Sequence, residues 1–188
     1  MVRTLVRQQD RRDVMGRALR WAAGAGMGAA GWPGIAWAGS GEPAAALPGG
    51  GLEIHEGAGP AMVLSAQALA ALPQRTISTH TAWTDGVRKF EGPLVTDVLG
   101  AAGAVLAPGS KLQVRALNDY VVEIPAEDFQ RWPVIAAWTM DGNVLTRRDK
   151  GPFWIVYPRD DDRVLRDAKY DHRWAWQLRQ LTVRAASR

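Results

Sequence analysis

The sequence predicts an α+β domain of mixed β-sheets with short helices. Apolar and polar residues alternate at period two over several short stretches, among them Leu52–His55, Lys111–Ala116 and Gln177–Arg184. Helical spacing is confined to brief windows. Turn pairs such as Asp85-Gly86, Asn118-Asp119 and Asp141-Gly142 cut the chain at intervals too short for long helices.

In order, Leu52-Glu53-Ile54-His55 alternates as a short strand, and Met62-Val63-Leu64 is a second apolar run. Ser65 is a suitable N-cap for a helix over Ala66–Leu72, which Pro73 stops. Thr76–Thr81 is β-branched and reads as a strand. Asp85-Gly86 predicts the turn after it and Val87–Glu91 the returning strand. Leu94, Val95, Val98, Leu99 and Ala102 have helical spacing, and Gly103 is a natural stop. Lys111–Ala116 and Tyr120–Ile124 form two strands about the Asn118-Asp119 bend. Pro125–Phe129 is a helical turn, with Pro first and Glu127-Asp128 where the helix dipole favours acid. Val134–Met140 is a strand that turns at Asp141-Gly142 into Val144-Leu145. Phe153–Tyr157 is a buried strand, and Gln177–Arg184 closes the domain.

Residues 1–38 read as a cleavable signal peptide. Arg3, Arg7, Arg11 and Arg12 precede a Gly/Ala-rich stretch that ends in Ala36-Trp37-Ala38, a small-x-small cleavage pattern. Asp10-Arg11-Arg12-Asp13-Val14-Met15 resembles a twin-arginine export motif, although Asp10 stands where Ser or Thr is usual. General secretory export is the rival route. A membrane anchor is the third reading, and the stretch is poor in the strongly apolar residues that a span of about 20 requires. Export places the protein in the periplasm. Residues 39–51, rich in Gly, Pro and Ala, form a flexible lead-in, and 52–188 the working domain.

Removing the signal peptide changes the charge argument. Of 23 basic and 19 acidic residues, six Arg and two Asp lie in residues 1–38, which leaves 17 of each sign. The high isoelectric point is thus a property of the leader and gives no reason to propose a nucleic-acid partner. There is no cysteine. Disulfides, iron–sulfur clusters and thiolate metal ligands are therefore excluded, and the domain depends on its core. Oligomeric state is not encoded in any motif.

Several segments carry a family resemblance. Phe90-Glu91-Gly92-Pro93-Leu94, with the following helix ending Leu99-Gly100-Ala101-Ala102-Gly103, resembles a segment of the sulfite-oxidase-like, molybdopterin-binding oxidoreductase family. Asp141-Gly142-Asn143-Val144-Leu145 and Lys150-Gly151-Pro152-Phe153-Trp154-Ile155-Val156-Tyr157-Pro158 look like a strand pair of that fold. Trp174-Ala175-Trp176-Gln177-Leu178 and Leu181-Thr182-Val183 are similar to its closing strand. The likeness extends over Leu52–Arg184. It is closest to a subgroup of small exported single-domain proteins, through Thr79–Gly86, Leu117–Pro125 and Arg148–Pro152.

The resemblance implies a sulfite-oxidase-like fold and a pterin or molybdopterin-like ligand. In the oxidases a Cys from the loop corresponding to Thr79–Trp83 holds molybdenum. Here that loop has none, and a hydroxyl such as Thr81 is a poor substitute for a soft thiolate. No metal is expected. The subgroup implies a periplasmic pterin-binding protein that regulates a membrane signalling protein such as a cyclic-di-GMP enzyme. The enzymatic alternative is a molybdopterin-dependent oxidoreductase with a non-cysteine metal shell. The third reading is an interaction module without a small ligand.

A pterin is flat, so its pocket needs an aromatic face and a few fixed polar groups. Trp83, in the polar loop with Thr79, His80 and Thr81, is the first choice for stacking. Trp138, Trp154 and Trp176 lie in strand-like runs that suit the core, and Trp132 suits a loop plug. Asn118 either reads the donor edge of the ring or closes an Asx-turn, and for Asp119 the turn is favoured. Tyr120 offers a hydroxyl or packs. Arg148 and Lys150, which match the resemblance, together with Arg173, are candidates for an anionic tail or ring carbonyl. Arg147 adds to their basic loop. His80 is either a pocket wall or a surface residue, and three scattered His give little basis for a metal site. Asp160-Asp161-Asp162 lacks calcium-loop spacing and reads as a solvated turn. No serine lies in a nucleophile-elbow pattern, so no catalytic residue is assigned.

Overall fold

The computed structural model describes residues 51–186. The signal peptide expected over 1–38, and the expected lead-in as far as residue 50, lie outside them. Among the described residues no helix is long and apolar enough to cross a membrane.

The elements are β1 (Leu52–Glu56), β2 (Met62–Leu64), α1 (Ala66–Ala71), β3 (Gln74–Thr81), β4 (Thr84–Pro93), α2 (Val95–Ala101), β5 (Lys111–Ala116), β6 (Val121–Pro125), α3 (Ala126–Arg131), β7 (Ile135–Ala137), β8 (Thr139–Met140), β9 (Asn143–Val144), β10 (Trp154–Val156) and β11 (Leu178–Arg184). Short 3-10 turns cover Arg147–Asp149, Arg163–Arg166 and Ala168–Arg173. The expected α+β class is what the chain forms.

Five strands make one sheet in the order β2-β1-β11-β5-β6, antiparallel except for the β1–β11 pair. Its alternating sequences bury one face: Leu52 and Ile54, Leu112 and Val114, Val122 and Ile124 point inward, while Glu53, Lys111 and Glu123 do not. A second sheet has the order β3-β4-β8-β9, and β10 pairs with β7 in a third. The buried faces join with Val95, Val98 and Leu99 of α2 in one core cluster. All residues from Gly151 to Pro158 are buried, in keeping with the continuous apolar run of β10.

The local signals account for most boundaries. The Ser65 hydroxyl accepts from Ala68 N–H at the start of α1, as an N-cap should. The Asn118-Asp119 bend links β5 to β6, with Asp119 at φ 62°. Two expectations need correction. The turn after β3 is Ala82-Trp83, because the Thr81 hydroxyl accepts from Trp83 N–H at 3.1 Å and contacts the Thr84 hydroxyl at 2.8 Å. Asp85-Gly86 lies within β4, where Gly86 at φ 66° supports a bulge: His80 alone faces Asp85, Gly86 and Val87. The single strand expected over Val134–Met140 divides at Trp138. Residues before it pair with β10 and residues after it with β4. Finally, Ala168–Arg173 is wound as a 3-10 turn that no sequence signal had indicated.

Candidate functional site

Three separate elements converge on a cavity of about 180 Å³. Trp83 comes from the β3–β4 turn, Asn118 and Tyr120 from the β5–β6 bend, and Asp171 and His172 from the 168–173 turn. Trp174, Ala175 and Trp176 complete it. Asn118, Tyr120 and His172 are exposed at its rim, whereas Trp174 and Ala175 are buried. Half-buried Trp83, Asp171 and Trp176 lie between these extremes.

Aromatic rings dominate the interior. The Trp83 centroid lies 5.2 Å from Trp176, 6.2 Å from Trp174 and 6.3 Å from Trp154, all tilted or edge-on. Such geometries suit the ring quadrupoles and fix the hairpin tip against the core. Thr81 therefore acts at one remove, because its hydroxyl shapes the turn that presents Trp83.

The rim is held by polar contacts. Tyr120 hydroxyl donates to the His172 carbonyl at 2.8 Å. Asn118 Oδ1 accepts from Tyr120 N–H at 3.2 Å, so the Asx-turn is made. With that oxygen engaged, its amide offers Nδ2 donors and is better placed to read an acceptor than the donor edge expected of it. Asp119 is exposed and pairs loosely with Arg115 at 3.8 Å.

The remaining predicted residues fall elsewhere. Thr79 is fully buried, and its hydroxyl accepts from Asp160 N–H. Asp160 in turn accepts from His80 N–H at 2.9 Å and contacts its Nδ1 at 2.8 Å. Thr79 and His80 thus tether the 158–162 loop and do not line the cavity. Asp160 and Asp162 are half-buried members of this tether, a correction to the solvated reading of the Asp run; Asp161 is exposed. Asp162 accepts from the Trp132 indole at 2.9 Å, which is the main cause holding its carboxyl below the ordinary range.

Arg173 is also drawn away. It meets Asp128 Oδ2 at 2.5 Å, where the Tyr157 hydroxyl donates to the same oxygen at 2.9 Å. Burial, with Asp128 beside it, pushes the Tyr157 hydroxyl well above its usual range. Arg173 therefore clamps the 168–173 wall from beneath. Arg148 is exposed on the 147–149 turn. Lys150, at φ 69°, places Nζ 5.4 Å from the Trp154 ring centroid. This basic loop abuts the site through Gln177, whose side chain donates to Arg147 O and whose N–H donates to Lys150 O.

Asp171, His172, Trp174, Ala175 and Trp176 line the cavity in addition to the residues that the sequence points to. Trp174 and Trp176 carried a signal: two aromatics separated by one residue in extended chain project to the same side. Asp171 and His172 had none, because their position depends on the 3-10 turn and its clamp.

No family model and no curated protein matches the chain. Among solved structures, it is similar to the sulfane dehydrogenase SoxCD from Paracoccus pantotrophus, with a TM-score of 0.53 and 18% identity. The alignment covers 72% of this chain but only 38% of the SoxCD chain. That likeness concerns the fold, and supports a distant sulfite-oxidase-like architecture.

Proposed function

We propose that this protein binds a pterin in the periplasm, carries out no redox chemistry itself, and reports occupancy to the periplasmic domain of a membrane signalling protein such as a cyclic-di-GMP enzyme. One observation carries the reading: Trp83, Asn118 and Tyr120, whose side chains suit a pterin, line the same cavity as Trp174 and Trp176. The indoles offer apolar faces to a flat ring, and the rim amide offers donors to a ring carbonyl.

The residues do not fit a metal-bearing molybdopterin. The chain has no thiolate, and among the described residues no three His, Asp or Glu side chains are grouped to hold a metal. None of the lining side chains is Lys or Arg, and the volume lies below the roughly 300–1,000 Å³ of pockets for drug-sized ligands. A ring with a short substituent suits this space better than a long phosphorylated tail.

Protein taken from its native compartment is the material for the test. Ligand released by denaturation is identified by fluorescence and mass, with molybdenum assayed in parallel. A pterin without molybdenum is expected. Stoichiometric molybdenum would overturn the proposal, as would failure of the ligand-free protein to bind 6-hydroxymethylpterin.

A further inference from the structure

We infer that Asp171 reads the amino-pyrimidine edge of the ligand, which makes it the residue that selects a 2-amino pteridine; the inference rests on the pterin reading above. Asp171 is the one carboxylate lining the cavity. Its side chain is 24% exposed, which leaves it accessible to a bound ring. Oδ1 accepts from Arg159 Nη1 at 2.7 Å, and Arg159 is itself anchored by donating to Arg166 O at 3.2 Å. Oδ2 accepts no hydrogen bond among the described residues. The Arg159 contact thus fixes the carboxylate in orientation and leaves it acceptor capacity, since its two oxygens together offer about four lone-pair positions.

A 2-amino-4-oxo pteridine presents two adjacent N–H donors, on N3 and on the exocyclic amine. A carboxylate takes such a pair through two parallel charge-assisted bonds. The neighbouring carbonyl at C4 matches the free Asn118 Nδ2 donors on the rim. A lumazine replaces the amine with a carbonyl, which loses one bond and sets an oxygen against the carboxylate.

The test compares 6-hydroxymethylpterin with 6-hydroxymethyllumazine by equilibrium titration of the mature protein. The wild type should favour the pterin by about ten- to a hundredfold. In Asp171→Asn the ratio should fall towards one. Asp171→Glu keeps a charge for Arg159 but displaces the carboxylate, and serves as a second variant with the same expected fall. Equal affinities in the wild type, or a preference that survives in a folded variant, would overturn the role of Asp171 while leaving pterin binding intact. A wild type that binds neither compound would overturn both.

Discussion

Tyr120 and His172 are 52 residues apart in the chain, yet the hydroxyl of one donates to the main-chain carbonyl of the other at 2.8 Å. The bond joins the β5–β6 bend to the 168–173 turn across the exposed rim of the cavity. An exposed bond of this kind contributes about 0.5–1.5 kcal/mol. Tyr120→Phe should therefore leave Tm within a few degrees of wild type while opening the rim. Acrylamide quenching of tryptophan fluorescence should increase in this variant. Unchanged quenching would show that Tyr120 does not restrict access.

Trp83 both packs against other indoles and lines the cavity, so its replacement is read in two measurements. It is half-buried and contacts three other indoles, so Trp83→Ala should cost roughly 2 kcal/mol, less than the 3–5 kcal/mol of a fully buried Trp. Affinity for 6-hydroxymethylpterin should fall at least about tenfold. Trp83→Phe should recover much of both losses, as judged by urea denaturation and titration. Full affinity in a folded Trp83→Ala protein would remove this ring from the ligand site.

The Arg173–Asp128 pair, half-buried Arg on a buried acid, predicts strong non-additivity. Asp128→Ala leaves a guanidinium with little solvent and should cost about 3–5 kcal/mol. Replacing both, as Asp128→Ala with Arg173→Met, should cost clearly less than the two single changes added together. Urea unfolding of the four proteins in the cycle measures the coupling. Strict additivity would mean that the clamp beneath the cavity wall contributes little.

Acid should loosen the 158–162 loop. Asp162 is held below its ordinary value of 3.8 chiefly by the Trp132 indole N–H, then by Val164 N–H, with Arg131 also contributing. A depressed folded value means that the carboxylate's contribution is complete above the ordinary value and is lost as pH falls through the lower one. Asp162→Asn should flatten that acid limb while leaving the pH dependence near neutrality unchanged. Thermal unfolding measured from pH 6 down to pH 2 would reveal the difference.

Close backbone approach makes Gly92 sensitive. A Cβ there would collide with the Ala136 carbonyl on β7, where main chain cannot give way as a flexible side chain could. Gly92→Ala should cost roughly 1–3 kcal/mol or more, read as a lower urea midpoint with an unchanged slope. A neutral effect would mean that β4 and β7 can separate without loss.

Strands such as Lys111–Ala116 were legible because one buried face imposes period two, whereas in Leu178–Arg184 a register shift at Leu178/Gln180 interrupts that alternation. Turn chemistry was less dependable. Asp85-Gly86 carries the stronger dipeptide signal, but the Thr81 hydroxyl closes the chain three residues earlier and leaves the glycine to form a bulge. Trp138 shows a different limit, since its strand changes partners and no local pattern marks where one sheet releases it to another. At the cavity, Trp83, Asn118 and Tyr120 had recognisable chemistry in recognisable loops. Asp171 and His172 acquire their place through long-range contacts: the Tyr120 hydroxyl on the His172 carbonyl, and the ion pairs Arg173–Asp128 and Asp171–Arg159, whose members are 45 and 12 residues apart. The same holds for Arg173, whose buried partner Asp128 lies 45 residues away and leaves no trace among its neighbours in sequence.

The order β2-β1-β11-β5-β6 also governs how the domain can be made. β11 lies in the middle of the sheet, between β1 and β5, although it follows both of them in sequence. On the ribosome, the early strands must wait with their apolar faces uncovered until Leu178–Arg184 emerges. A nascent chain stopped before Leu178 would lack the strand that joins two halves of the sheet, and would offer chaperones and proteases a target that the finished protein conceals.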